Sequence, residues 1–189
     1  MYGVVSLLDG KYTAIIEEIW DTFQRNFGVH GVHVTPIPHF SYHVAENYDI
    51  SQLDELLELF TRQIEPFTIR TSGLGIFTGP EPVLYIPVVP DGNLLSIHRR
   101  IWQAIDATAQ GSSLYYQPVE WRPHITLTQG GVDHDMLPQV IRVLSERNFN
   151  WNIEIDNLSI IGGTPESEAQ VHGLVARYDL TRPLASSAS

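Results

Sequence analysis

Apolar and polar positions along the chain alternate between two periods, one of a strand and one of a helix. Residues Tyr2 to Leu8 read as a buried strand. From Tyr12 to Phe27 the residues Ile15, Ile16, Ile19, Trp20 and Phe23 form a helical stripe, which Gly28 ends. Val29 to Pro38 is rich in histidine, glycine and proline and reads as a loop, and Phe40 to Ala45 has the length and residue types of a strand, with His39 at its start. Ser51 is a candidate N-cap for a helix carrying Leu53, Leu56, Leu57, Leu59, Phe60 and Ile64, which must stop before Pro66.

The same reading gives a strand at Phe67 to Thr71, two more at Gly73 to Phe77 and Val83 to Val89 joined by a Gly79-Pro80-Glu81-Pro82 turn, and a third helix at Asp91 to Ala109. A strand at Trp121 to Thr128, a helix at Asp133 to Asn148 and strands at Asn150 to Ile161 and Val171 to Asp179 follow, with a loose tail at Pro183 to Ser189. Several strands adjoin with only turns between them. That order favours an α+β fold with largely antiparallel sheets over a doubly wound parallel one. No Gly-rich phosphate loop opens any of the helices.

Composition narrows the chemistry. The 189 residues suit one compact domain, expected over 1–182, and 43% hydrophobic with 17% charged residues is the balance of an ordered globular chain. With no cysteine there are no disulfides, thiolate zinc sites or cysteine nucleophiles, and a cytoplasmic protein is expected. The N-terminus lacks a basic leader, and no apolar run approaches about 18 residues, so neither export nor a membrane partner is expected. Twenty-two acidic residues against 11 basic ones give a formal charge of -11, which repels a long nucleic acid but leaves room for a small phosphorylated ligand in a locally positive groove.

One motif occurs twice: Pro38-His39-Phe40-Ser41 and Pro123-His124-Ile125-Thr126. On regular strands His39, Ser41 and His43 would share one face, as would Arg122, His124, Thr126 and Thr128. Each strand then offers an imidazole beside a hydroxyl. Displacement at phosphorus needs a base for the attacking water and an acid for the departing oxygen, and two imidazoles titrating near neutrality supply both. Ser41 and Thr126 can hydrogen-bond the nonbridging oxygens, and Arg122 can add a charge-assisted contact. His43 is a further candidate for the groove wall. Tyr85, Tyr115, Tyr116 and Trp121 could stack on a base, although strand aromatics usually pack. A rival reading makes His30, His33, His39 and His43 ligands of a divalent ion, but it leaves His124 unexplained.

These paired motifs, and above all Trp121-Arg122-Pro123-His124-Ile125-Thr126-Leu127, resemble the 2H phosphoesterase superfamily, which includes LigT-like 2'-5' RNA ligases and cyclic phosphodiesterases. The resemblance implies a bilobed α+β fold about a pseudo-twofold axis, with two largely antiparallel sheets flanking a central groove and helices outside. It implies catalytic His39 and His124, phosphate contacts from Ser41 and Thr126, and chemistry without metal or cofactor. The implied activity is hydrolysis of a 2',3'-cyclic phosphate or other small cyclic or 2'-5' phosphodiester, on a small nucleotide or short RNA end; the chain itself is expected to be a monomer. Ligation of 2'-5' RNA ends and noncatalytic capture of a phosphoribose ligand are the alternatives. Thr128-Gln129-Gly130 stands where LigT-like members often carry an arginine that meets RNA, which turns the expectation toward small substrates.

Overall fold

The computed structural model describes residues 1–29, 35–163 and 172–181. His30, His33, half of the loop expected at Val29 to Pro38 and the tail expected at Pro183 to Ser189 lie outside those residues.

Strand β1 (Tyr2–Leu7) leads into helix α1 (Gly10–Phe27), which starts where the Asp9 carboxylate accepts the Tyr12 N–H. Gly28, at φ 66°, ends it by donating to the Phe23 and Gln24 carbonyls, a left-handed turn that glycine adopts without steric cost. Tyr12, Ile16, Ile19 and Phe23 make the buried stripe. Strand β2 (His39–Tyr48) is followed by helix α2 (Ile50–Thr61), capped by Asp49 rather than Ser51. Then come β3 (Phe67–Arg70), β4 (Gly75–Phe77), β5 (Val83–Pro87) and helix α3 (Gly92–Ile105), which Asp91 caps. Strand β6 (Ala109–Ser112) and strand β7 (His124–Thr126) precede helix α4 (Leu137–Ser145), and β8 (Asn152–Ile155), β9 (Asn157–Gly163) and β10 (His172–Asp179) complete the order.

The larger sheet runs β10-β9-β1-β2-β6. Elsewhere β3 pairs with β8, and β5 lies between β4 and β7. These two smaller ladders join: Ser72 N–H donates to the Pro87 carbonyl at 3.0 Å, Val89 N–H to the Arg70 carbonyl at 2.8 Å, and Thr71 bridges Val88. Every named pairing is antiparallel, so the fold is the expected α+β type. Phe40, Tyr42, Ile16, Leu53, Leu84, Ile86, Ile101 and Ile125 are fully buried in the core, each such apolar side chain contributing about 1.5–3 kcal/mol.

Four element boundaries differ from the expected ones for identifiable reasons. The third helix stops at Ile105, since Asp106–Thr108 tighten into a 3₁₀ turn and Ala109–Ser112 pairs instead with the edge of β2, Tyr48 opposite Ala109. The strand expected over Asn150 to Ile161 divides at Asp156. There the Asn157 side chain accepts from Leu7 N–H at 2.9 Å and donates to Leu7 O at 3.0 Å, splicing β9 onto β1 while β8 pairs with β3. The strand expected from Trp121 is regular only over His124–Thr126, for Pro123 lacks a ladder donor. Helix α4 begins at Leu137 because the Asp133 carboxylate takes the N–H groups of Asp135 and Met136 in a local turn.

Candidate active site

A groove of about 730 Å³ opens over the ends of β2 and β7. His39 and Ser41 reach it from the larger sheet, Arg122, His124 and Thr126 from β7 and its lead-in, and Tyr115, Tyr116 and Glu120 line the rim between them. The two motif strands belong to different ladders and are linked through Trp121, whose indole N–H donates to the Ser41 carbonyl at 2.9 Å.

The two imidazoles are held alike. His39 Nδ1 lies 2.6 Å from the Ile37 carbonyl, and His124 Nδ1 lies 2.7 Å from the Arg122 carbonyl. A carbonyl oxygen only accepts, so each Nδ1 is the protonated nitrogen and each Nε2 keeps its lone pair. The proline in each Pro-His pair accounts for the common anchor. It restricts the preceding residue to extended conformations and has no N–H, which leaves the carbonyl two positions before the histidine for the ring.

Burial sets the electrostatics. It pushes the His39 pKa down to about 4, against the opposing pull of the Ile37 carbonyl and with a further repulsion from His124. Burial also holds His124 below the ordinary histidine value, with the Arg122 carbonyl opposing. Both rings are therefore neutral at neutral pH. The ring of His124 meets Phe77 edge-on at 5.0 Å and Tyr85 at 5.2 Å, and those two rings stack on each other at 4.1 Å. Tyr85 thus packs rather than offering a face to a base. It can lie flat because Gly75 is its cross-strand partner, where a Cβ would come within 2.4 Å of the ring.

His43 does not line the groove. Val4 pairs with His43 and Val5 with Ser41, so Tyr42 is an extra residue in β2, a β-bulge. The bulge inverts the alternation: His39, Ser41 and Val44 face the groove, while His43 turns into the protein and is fully buried. There Tyr48 O–H donates to His43 Nδ1 at 2.6 Å, and His43 Nε2–H donates to the Asp106 carboxylate at 3.2 Å. Since His39 and His43 face opposite ways, they cannot share an ion, which removes the four-histidine metal reading. Among the described residues no group of three or more histidine, aspartate or glutamate side chains is placed to hold a metal. Thr128 also leaves the face of His124. It is fully buried, and its hydroxyl accepts the Leu84 N–H at 3.0 Å where the chain departs from β7.

Arg122 stays exposed on the groove, and among the described residues its guanidinium makes no ion pair. Trp121 is buried and offers no face to a ligand. Its ring lies parallel to that of His98, 3.7 Å away. His98 and Phe77 were not singled out by the sequence. The available signal for His98 was its place on the apolar stripe of α3, with Leu94, Ile97, Ile101 and Ile105.

The model of the 2'-5' RNA ligase superfamily matches residues 9–163. The chain belongs to this superfamily. Solved structures agree on the superfamily's fold: TT0787 of Thermus thermophilus superposes with a TM-score of 0.64 at 15% identity, covering 95% of this chain and 97% of its own. E. coli LigT complexed with 3'-AMP gives a TM-score of 0.61 at 16% identity, covering 96% and 98%, and the apo form gives 0.62 at 16%, covering 96% and 97%. These identities carry the architecture alone. The chain matches no curated protein. Superfamily membership agrees with the 2H phosphoesterase resemblance of the paired motifs, and among the described residues no helix is long and apolar enough to cross a membrane.

Proposed function

We propose that this chain is a phosphodiesterase that opens a nucleoside 2',3'-cyclic phosphate, or another small cyclic or 2'-5' nucleotide phosphodiester, using His39 and His124 as base and acid without a metal ion. The observation that carries this reading is the matched anchoring of the two rings, which leaves two Nε2 atoms on one groove. His39, the more strongly depressed of the two, accepts the proton of the attacking water at Nε2. His124, raised by the anionic ligand, protonates the sugar oxygen as its bond to phosphorus breaks. Ser41 and Thr126 donate hydroxyl hydrogens to the nonbridging oxygens, and the Arg122 guanidinium offsets their charge.

Size and charge support a small substrate. A groove of about 730 Å³ is in the range of sites that enclose a single nucleotide, and a chain charge of -11 works against a polyanion. E. coli LigT has been crystallised with 3'-AMP, with ATP and with NADP+, which supports nucleotide ligands for this groove. The lack of cysteine supports action in the cytoplasm.

The test is a panel of nucleoside 2',3'-cyclic phosphates, ADP-ribose cyclic phosphate, cyclic dinucleotides and 2'-5' oligonucleotides, offered to the purified chain in chelator. Turnover of a cyclic phosphate is expected. Binding without turnover, activity confined to the joining of RNA ends, or activity abolished by the chelator would overturn the reading.

A further inference from the structure

Behind the groove lies a buried histidine to which the proposed chemistry gives no task. His98, on α3, is 1% exposed. Its Nε2 sits 3.1 Å from the Tyr42 carbonyl and 3.0 Å from the Tyr116 carbonyl. Both oxygens only accept, so Nε2 carries the proton and shares it between β2 and the 3₁₀ turn Leu114–Tyr116. Burial keeps the ring neutral, its pKa pushed down to about 4 although the two carbonyls pull it up.

The flat face of His98 lies on Trp121, the planes within 1° and the centroids 3.7 Å apart. Trp121 in turn donates to the Ser41 carbonyl at 2.9 Å. One stacked pair therefore holds the carbonyls of Ser41, Tyr42 and Tyr116. Ser41 and Tyr42 are the site of the bulge that decides which side chains of β2 face the groove. The Tyr116 phenol meets the Ser41 hydroxyl, and Trp121 opens the run Trp121-Arg122-Pro123-His124. Packing alone does not call for an imidazole here, because burying a polar ring costs free energy that an apolar one would not.

We infer that His98 and Trp121 are positioning residues: their two ring N–H donors, His98 Nε2 and Trp121 Nε1, set the spacing of the His39–Ser41 strand from His124. The kinetic consequence rests on the proposed phosphodiester chemistry. The spacing itself does not.

Three variants test it: H98F keeps a ring against Trp121 but removes the shared donor, H98Q restores an N–H donor without the ring, and W121F removes the donor to Ser41. Each is unfolded in denaturant to establish that it folds. Each is then titrated by NMR through its His39 and His124 resonances, and assayed with a 2',3'-cyclic mononucleotide. In H98F and W121F the titration midpoints of His39 and His124 are expected to move and kcat to fall roughly tenfold or more, with KM changed less than about threefold. H98Q is expected to recover most of the kcat lost in H98F. Folded H98F with wild-type kcat and wild-type midpoints, or H98Q no better than H98F, would overturn the inference. If H98F fails to fold, W121F and H98Q decide by the same readouts. If the wild-type chain turns over no cyclic phosphate, the functional reading falls, whereas the NMR midpoints still decide the positioning role.

Discussion

His43 lies two positions beyond Ser41 on one strand and yet faces the opposite side of the sheet, because Tyr42 bulges between them. The two side chains should therefore fail differently when removed. Ser41→Ala takes a donor from the groove and should lower kcat about 10²-fold with little change in stability. His43→Ala strands the buried Tyr48 hydroxyl and leaves a cavity, and should cost about 2–4 kcal/mol in denaturant unfolding. Equal losses of stability in the two variants would contradict the bulge.

His39→Ala and His124→Ala should each reduce turnover by about 10² to 10⁴ while the fold persists. The double variant should lose little more than the worse single one, since acid and base act as a unit. Additive losses in steady-state kinetics would argue that the two rings do not serve the same step.

The pH profile follows from burial. His39 works as a base only when unprotonated, and its pKa of about 4 puts the acid limb of kcat/KM near that value. His124 works as an acid only when protonated. Its pKa lies below the ordinary 6.5, so the alkaline limb lies below 6.5 as well. A bound phosphodiester anion raises both rings, so the limbs of kcat should shift to higher pH than those of kcat/KM. Profiles measured on one cyclic nucleotide check this, and a kcat/KM optimum above 6.5 would count against it.

Stability should also depend on pH. His39 and His98 titrate at about 4 when folded and at 6.5 when unfolded. Above 6.5 neither state is protonated and nothing is lost. As pH falls from 6.5 to 4 the unfolded chain takes up protons that the folded one refuses, and stability drops by up to about 3 kcal/mol for each histidine. Denaturant unfolding across this window should show the fall, and H98Q should remove part of it.

Gly75→Ala tests the packing around His124. The added methyl would press within 2.4 Å of the Tyr85 ring, which lies against Phe77 and His124. A stability loss of about 1–3 kcal/mol is expected, together with reduced kcat. Unchanged thermal unfolding and activity would show that the Tyr85 ring moves freely.

Much of the site was legible because its determinants are local. The Pro-His-x-Ser/Thr repeat places an imidazole, its backbone anchor and a hydroxyl within a few residues, so His39, Ser41, His124, Thr126 and Arg122 could be read together. His43 could not, since the bulge before it exists only in pairing with β1, and a one-residue slip reverses every face that follows. The strand at Ala109–Ser112 was hidden for a similar reason. Ala-Gln-Gly-Ser has little intrinsic strand preference and joins the sheet because the edge of β2 is there to be paired. His98 stands on the apolar stripe of α3, and only the tertiary fold brings two carbonyls to its ring.

The burial of His39 also bears on how the site recovers after each turnover under the proposed chemistry. When the cyclic ester has opened, His39 holds the proton of water and His124 has given its own away, so the pair is charged the wrong way round for the next substrate. A ring with a pKa of about 4 surrenders that proton readily at neutral pH. The low proton affinity that keeps His39 ready as a base thus empties it again, and the next anion to enter the groove recharges His124.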